Sequence, residues 1–165
     1  MASVYFCSDL HFGHKNIGKF RAPHHVQTEE DNRWRICEDW RKRVRKNDHV
    51  YVLGDACFTM ETVFEFGELP GVKYLVRGNH DNLDTQVYLK HFKSVEGIVK
   101  YKEFWLTHAP IHPFELRGKV NLHGHVHYAT IDDKRYFNCC PENLWGLIGS
   151  SLISLDEIRT YLKQP

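Results

Sequence analysis

The sequence predicts a layered α/β or mixed α+β domain, and two observations carry that expectation. Short apolar runs rich in β-branched and aromatic residues alternate along the chain with amphipathic segments of helical period, the pattern of strands covered by helices. No internal repeat, low-complexity tract or Pro/Gly/Ser-rich linker divides the 165 residues, so residues 1–165 read as one domain. A chain of that length buries roughly 70% of the surface its unfolded form exposes, enough for a core.

The elements are expected in this order. Val4–Cys7 is the first strand. A helix begins at Thr28, where Thr28 and Asp31 nearly match a capping box, and places Ile36, Cys37, Trp40 and Val44 on one face. Val50–Leu53 is the second strand, followed by a helix over Thr59–Glu68. Tyr74–Val76 is the third strand, followed by a helix around Leu83–Phe92. Phe104–Leu106 and Val120–Leu122 are further strands, with a weaker one at Tyr136–Phe137. A last helix starts at Ser154, which forms a capping box with Glu157 and carries Leu155, Ile158 and Leu162 as its apolar stripe.

Composition narrows the function classes. Lys and Arg number 22 against 21 Asp and Glu, a net charge of +1, so overall charge argues for neither a nucleic-acid nor an anionic-membrane partner. The five cysteines, Cys7, Cys37, Cys57, Cys139 and Cys140, include no C-x-x-C pair, which suits reducing cytosol better than a secreted disulfide framework. No signal peptide is read at the N-terminus and no stretch approaches ~20 apolar residues, so a cytoplasmic protein without a membrane span is expected. Twelve of the residues are His, an unusual share of the commonest metal ligand.

Those histidines fall in a pattern. Each of the five better strands is followed closely by side chains able to bind metal: Asp9 and His11, Asp55, Asn79 with His80 and Asp81, His108, and His125 with His127. Ligands of open sheets collect beyond the carboxyl ends of strands, so five such ends converge on one site. Alternate positions of an extended segment point the same way, which lets Asp9/His11 and His125/His127 each present two donors. Carboxylate, imidazole and amide donors without a thiolate set fit Mn, Fe, Co, Ni or Zn. Seven candidate ligands, Asp9, His11, Asp55, Asn79, His108, His125 and His127, exceed one tetrahedral ion and suit two, which together clamp a phosphoryl group and acidify a water.

The ordered set DLH, GD, GNHD, THAP and HGHVH, spanning residues 9 to 127, resembles the calcineurin-like metallophosphoesterase superfamily. The opening SDLHFGHKNI and the small size are similar to its compact bacterial and phage branch. The resemblance implies two mixed β-sheets packed as a sandwich flanked by helices. It implies that Asp9, His11 and His127 hold one ion, that Asn79, His108 and His125 hold the other, and that Asp55 bridges them. It also implies that His80 stabilises the attacked phosphoryl oxygens and protonates the leaving oxygen, with Asp81 orienting its ring. The expected activity is hydrolysis of a small phosphomonoester or phosphodiester by direct attack of a hydroxide held between the two divalent ions. A nuclease is the alternative enzyme, and nucleic acid is not the favoured partner; a non-catalytic metal-binding scaffold of the same fold is the alternative class, against which the intact His80 argues. The sequence departs from relatives at Ala56-Cys57-Phe58 after the second strand and at Phe20–His25.

The remaining residues have plainer readings. His14 either lines the pocket mouth or caps a turn. His24, His25, His49, His91 and His112 read as surface or loop residues, and His123 is left outside the ligand set. Cys57, Cys139 and Cys140 read as small buried hydrophobes. The basic surplus of the first long helix reads as a solvated face, and Trp34, Trp40, Trp105 and Trp145 as mainly core.

Overall fold

A computed structural model describes residues 2–163. The first strand, β1 (Val4–Cys7), lies at the centre of the molecule because every residue after Val4 is buried: Tyr5 and Cys7 point to one side and Phe6 to the other. It pairs in parallel with β2 (His49–Val52), which pairs with β3 (Val72–Val76), which pairs with the short β4 (Val95–Glu96). The other edge is closed by β9 (Ile153–Ser154), antiparallel to β1, giving the order β4-β3-β2-β1-β9. A second sheet has the order β5-β6-β7-β8, built from β5 (Ile98–Tyr101), β6 (Phe104–Thr107), β7 (Val120–His123) and β8 (Tyr136–Asn138). Its β5–β6 pair is antiparallel and the rest is parallel, so both sheets are mixed.

The two faces of the first sheet bury two cores. On one face Tyr5, Cys7, Val50, Val52 and Leu75 meet Ile36 and Trp40 of α2 (Glu29–Arg43) and Val63 and Phe66 of α3 (Met60–Gly67). On the other, Phe6, Leu53 and Val76 meet Phe104, Leu106, Leu122 and Phe137 of the second sheet, together with Leu155 and Ile158 of α6 (Leu155–Leu162). The result is the expected sandwich of two mixed sheets flanked by helices. Capping boxes start α2 at Thr28, α3 at Thr59 and α6 at Ser154, satisfying backbone N–H groups that a helix start leaves open.

Several elements differ from expectation, β4 and β5 among them, which the expected strands do not include. The helix expected around Leu83–Phe92 shrinks to α4 (Thr85–Tyr88), capped by Asp84, because Tyr88 and Phe92 are drawn individually into the first core. The segment after Asn16 forms α1 (Ile17–Arg21), and α5 (Pro141–Ile148) starts on a proline and stops at Gly149 in the left-handed conformation, φ 68°. Trp34 is not core: it stands 67% exposed on the outer face of α2. Among the described residues no helix is long and apolar enough to cross a membrane.

Candidate metal centre

The loops that leave β1, β2, β3, β6 and β7 meet at one end of the sandwich, as the strand-end pattern predicts. Beyond β1 the chain continues beside the loop after β2, with Asp9 N–H donating to Gly54 O (2.9 Å), His11 N–H to Asp55 O (2.9 Å) and Phe12 N–H to Ala56 O (3.0 Å). The segment is not extended, however, and here the alternation argument is corrected. Asp9, His11, Asp55, His125 and His127 all lie in the left-handed region, with φ of 51°, 55°, 52°, 69° and 49°. These non-glycine residues occupy a backbone conformation that costs free energy and persists only where surrounding structure imposes it.

The donor atoms fall into two groups sharing one oxygen. Asp9 Oδ1 lies 3.5 Å from His11 Nε2 and 3.6 Å from His127 Nε2, and Asp55 Oδ2 lies 3.9 Å from His11 Nε2. The same Asp55 oxygen is 3.5 Å from His108 Nε2, which is 2.9 Å from Asn79 Oδ1 and 3.2 Å from His125 Nδ1. Two donors each ~2.1 Å from one ion at a tetrahedral angle stand ~3.4 Å apart, so these spacings suit coordination. Asp9 Oδ1 and His11 Nε2 are buried and have no hydrogen-bond partner, which is costly unless a cation satisfies them. The residues therefore fit a metal.

Several of the candidate ligands are held from behind. Asp9 turns its other oxygen, Oδ2, to the N–H of His125 (2.8 Å), the Ser8 hydroxyl and the Cys140 thiol (3.3 Å). Asp55 accepts the His80 N–H on Oδ1 (2.9 Å), leaving Oδ2 for the shared position. His108 Nδ1 is 2.8 Å from Leu53 O, the kind of contact that fixes the ligating tautomer. Two glycines permit this closeness: a Cβ on Gly124 would fall 1.7 Å from Ser8 Oγ and 2.1 Å from Asp9 Oδ2, and one on Gly78 would fall 2.3 Å from Asp55 Oδ1.

Three supporting residues carry no sequence signal. Arg21, wholly buried, donates from Nε to Glu142 Oε1 (2.7 Å), from Nη1 to Asn32 Oδ1 (2.6 Å) and Leu10 O (3.3 Å), and from Nη2 to the Asp9 carbonyl (2.5 Å). Glu142 Oε1 in turn lies 3.1 Å from His127 Nδ1. Cys140 is more than a small hydrophobe, because its sulfur also lies close enough to Asp9 and His127 to form a second candidate ligand group.

Charge follows this wiring. Burial alone would push the Asp9 carboxyl up, yet the adjacent His11 ring, the neighbouring His108 and the Ser8 hydroxyl hold it well below the usual carboxylate range. Burial lowers the pKa of His11, favouring the neutral ring a ligand requires. Glu142, despite burial, is brought down to about 2 by the His127 hydrogen bond and the Arg21 charge. The bond to Glu142 raises the pKa of His127 against the opposing effect of burial.

His80 and Asp81 separate. His80 is exposed and lines a cavity of about 290 Å³ together with His11 and His127. Asp81 does not orient the His80 ring; its carboxylate accepts the N–H groups of Gly78 (2.8 Å), Asp55 (2.8 Å) and Ala56 (2.9 Å), tying the loop after β3 to the loop after β2. That use of both oxygens makes it a positioning residue. His14 lines the same cavity, so the pocket alternative holds for it. His123 is buried with Nδ1 2.9 Å from Gly124 O, apart from the ligand groups.

The family model described as the calcineurin-like phosphoesterase superfamily domain matches residues 3–145. The chain belongs to that superfamily. An uncharacterised protein of Methanocaldococcus jannaschii is 31% identical over 144 residues, covering 84% of this chain and 77% of its own. The gene 66 protein of Mycobacterium phage L5 is 28% identical, covering 79% and 80%. A crystal structure of a protein of unknown function from Aquifex aeolicus superposes with a TM-score of 0.77 at 26% identity, over 98% of this chain and all of that one. Membership of the superfamily supports metal-dependent phosphoesterase chemistry in general, and the metal-capable loops lie within the matched residues.

Proposed function

We propose that this calcineurin-like phosphoesterase hydrolyses a small phosphomonoester or phosphodiester at a site for two divalent ions of the Mn, Fe, Co, Ni or Zn type. The observation that carries this reading is Asp55 Oδ2, which stands 3.9 Å from His11 Nε2 and 3.5 Å from His108 Nε2, between the two donor groups. Asp9, His11 and His127 would hold one ion, Asn79, His108 and His125 the other, and Asp55 both. Bound there, the ions would supply Lewis acidity toward a phosphoryl oxygen and bring water's pKa toward neutrality.

The chain's own residues supply the rest. Asp9 and Asp55 each have one oxygen fixed by backbone N–H donors and one left toward the ligand groups, so the donor set is formed before anything binds. His80, anchored by its N–H on Asp55 and exposed at the cavity, would donate a proton to the leaving oxygen. Five free cysteines fit a reducing compartment such as the cytoplasm. The test is a screen of mono- and diesters on metal-reconstituted protein beside His80→Ala. Hydrolysis lost in the variant at unchanged two-ion stoichiometry is expected. An emptied site in the variant would reject the role of His80, and a wild type inert toward every ester would reject the activity.

A further inference from the structure

The cavity beside the ligand groups has a wall that the phosphoryl chemistry does not use. Besides His11, His80 and His127 it is lined by His14, Phe20, Tyr128 and Ile17, and none of the lining side chains is Lys, Arg, Asp or Glu. Phe20 is 59% exposed and Tyr128 49%, so neither is placed there by core burial. The wall is nevertheless ordered: the Tyr128 hydroxyl donates to Phe20 O (2.6 Å), and its ring stacks on His24 (5.7 Å, 16°). His24 packs on Trp145 (5.4 Å), whose ring is covered by the Arg35 guanidinium at 4.1 Å. His14 meets Phe20 edge-on at 6.0 Å and His11 at 5.5 Å, carrying the aromatic surface down to the ligands.

We infer that the group esterified to the phosphate is a flat, uncharged aromatic ring, received by Phe20, Tyr128 and His14 while the phosphoryl end meets the metal ligands. This rests on the phosphoesterase reading above and names its substrate class. A second phosphate or an acidic tail would find no cation on this wall, whereas a ring gains stacking and apolar contact from its aromatic side chains. A volume near 290 Å³ is at the small end of ligand pockets and takes one ring with its phosphoryl group rather than a run of nucleotides.

Non-hydrolysable phosphonates test this without a leaving group to confuse the comparison. Calorimetric titration of the metal-loaded protein would compare methyl-, hexyl- and benzylphosphonate and a nucleoside phosphonate. At least one ring-bearing compound should bind about tenfold or more tighter than methyl- and hexylphosphonate, the size of one ring stacked on an aromatic side chain; which of the two does so separates an aryl from a nucleoside source. Phe20→Ala and Tyr128→Ala should shrink that preference to within about threefold, and Tyr128→Phe, which keeps the ring, should retain it. Equal binding of all four, hexyl binding as tight as the ring compounds, or a preference surviving both alanine variants would overturn the inference alone. Failure of every phosphonate to bind would overturn it together with the phosphoesterase reading.

Discussion

Replacing Arg21 with Met should unfold much of what holds the site from behind. The guanidinium and the Glu142 carboxylate are both wholly buried and 2.7 Å apart, so no solvent screening reduces their interaction. Arg21 also supplies the hydrogen bonds that satisfy Asn32 Oδ1 and the Leu10 and Asp9 carbonyls. Removing Arg21 leaves the buried Glu142 carboxylate with only His127 beside it, a loss of ~3–5 kcal/mol. Against a total stability of ~5–15 kcal/mol this is about a fifth or more, and at ~2–4 °C per kcal/mol it lowers the melting temperature by roughly 6–20 °C. Urea unfolding of the metal-free protein measures it, with Glu142→Leu and the double variant completing a cycle. The double variant, which removes both members of the buried pair, should be more stable than the sum of the single losses implies by about 2 kcal/mol or more. A loss below about 1 kcal/mol in Arg21→Met, or strict additivity in the cycle, would refute the argument that the pair acts as one unit.

Other outcomes follow from the same geometry. Asp55→Asn should keep the metal-free fold by circular dichroism yet weaken binding of both ions, and unchanged two-ion stoichiometry in metal analysis would reject the shared position of Asp55. Gly124→Ala should abolish metal binding, because its Cβ would sit within 2.1 Å of both Ser8 Oγ and Asp9 Oδ2; a variant that binds metal like the wild type would show that the loop can yield. Burial, with the neighbouring Tyr101 and Tyr74, pushes Tyr51 up to about 12, above the ~10 of an unfolded chain. The folded state therefore keeps a proton that the unfolded state releases between those values, so stability falls as pH rises above ~10. Tyr51→Phe should flatten that decline in urea midpoints, and an unaltered slope would exclude Tyr51 as a contributor.

The convergence of ligands was legible because strands announce themselves by apolar runs, and the chemistry-bearing residues sit directly after those runs. His108 after β6 and Asp55 after β2 needed only the rule that sites form beyond strand ends. Arg21, Glu142 and Cys140 were illegible for the opposite reason. Arg21 and Glu142 are 121 positions apart, on helices α1 and α5 that sequence pattern did not identify, and their pairing exists only once both helices close on the loop after β1. Asp81 shows a third case: its position in the motif was clear, but only the fold reveals three backbone N–H groups converging on its carboxylate. Trp34 was misplaced because helical period marks one face for burial and says nothing about a large aromatic residue on the other.

The left-handed backbone at five candidate ligands explains why alternation in an extended strand was an insufficient model of the site. Extended positions i and i+2 stand about 6.6 Å apart along the chain, whereas donors on one ion must approach to ~3.4 Å. A left-handed residue curls the backbone so that Asp9 and His11 bring their donor atoms to 3.5 Å without stretching either side chain off its course. Such conformations cost of order 1–3 kcal/mol each, and side-chain attraction between unliganded donors cannot offset that, since His11 Nε2 and Asp9 Oδ1 make no hydrogen bond. What fixes the loops is the surrounding framework: the backbone bonds to Gly54, Asp55 and Ala56, the Arg21 contacts to Asp9 and Leu10, and the Asp81 carboxylate. The candidate site is thus preorganised by backbone hydrogen bonds and by Arg21 and Asp81, which lie outside the candidate ligand set.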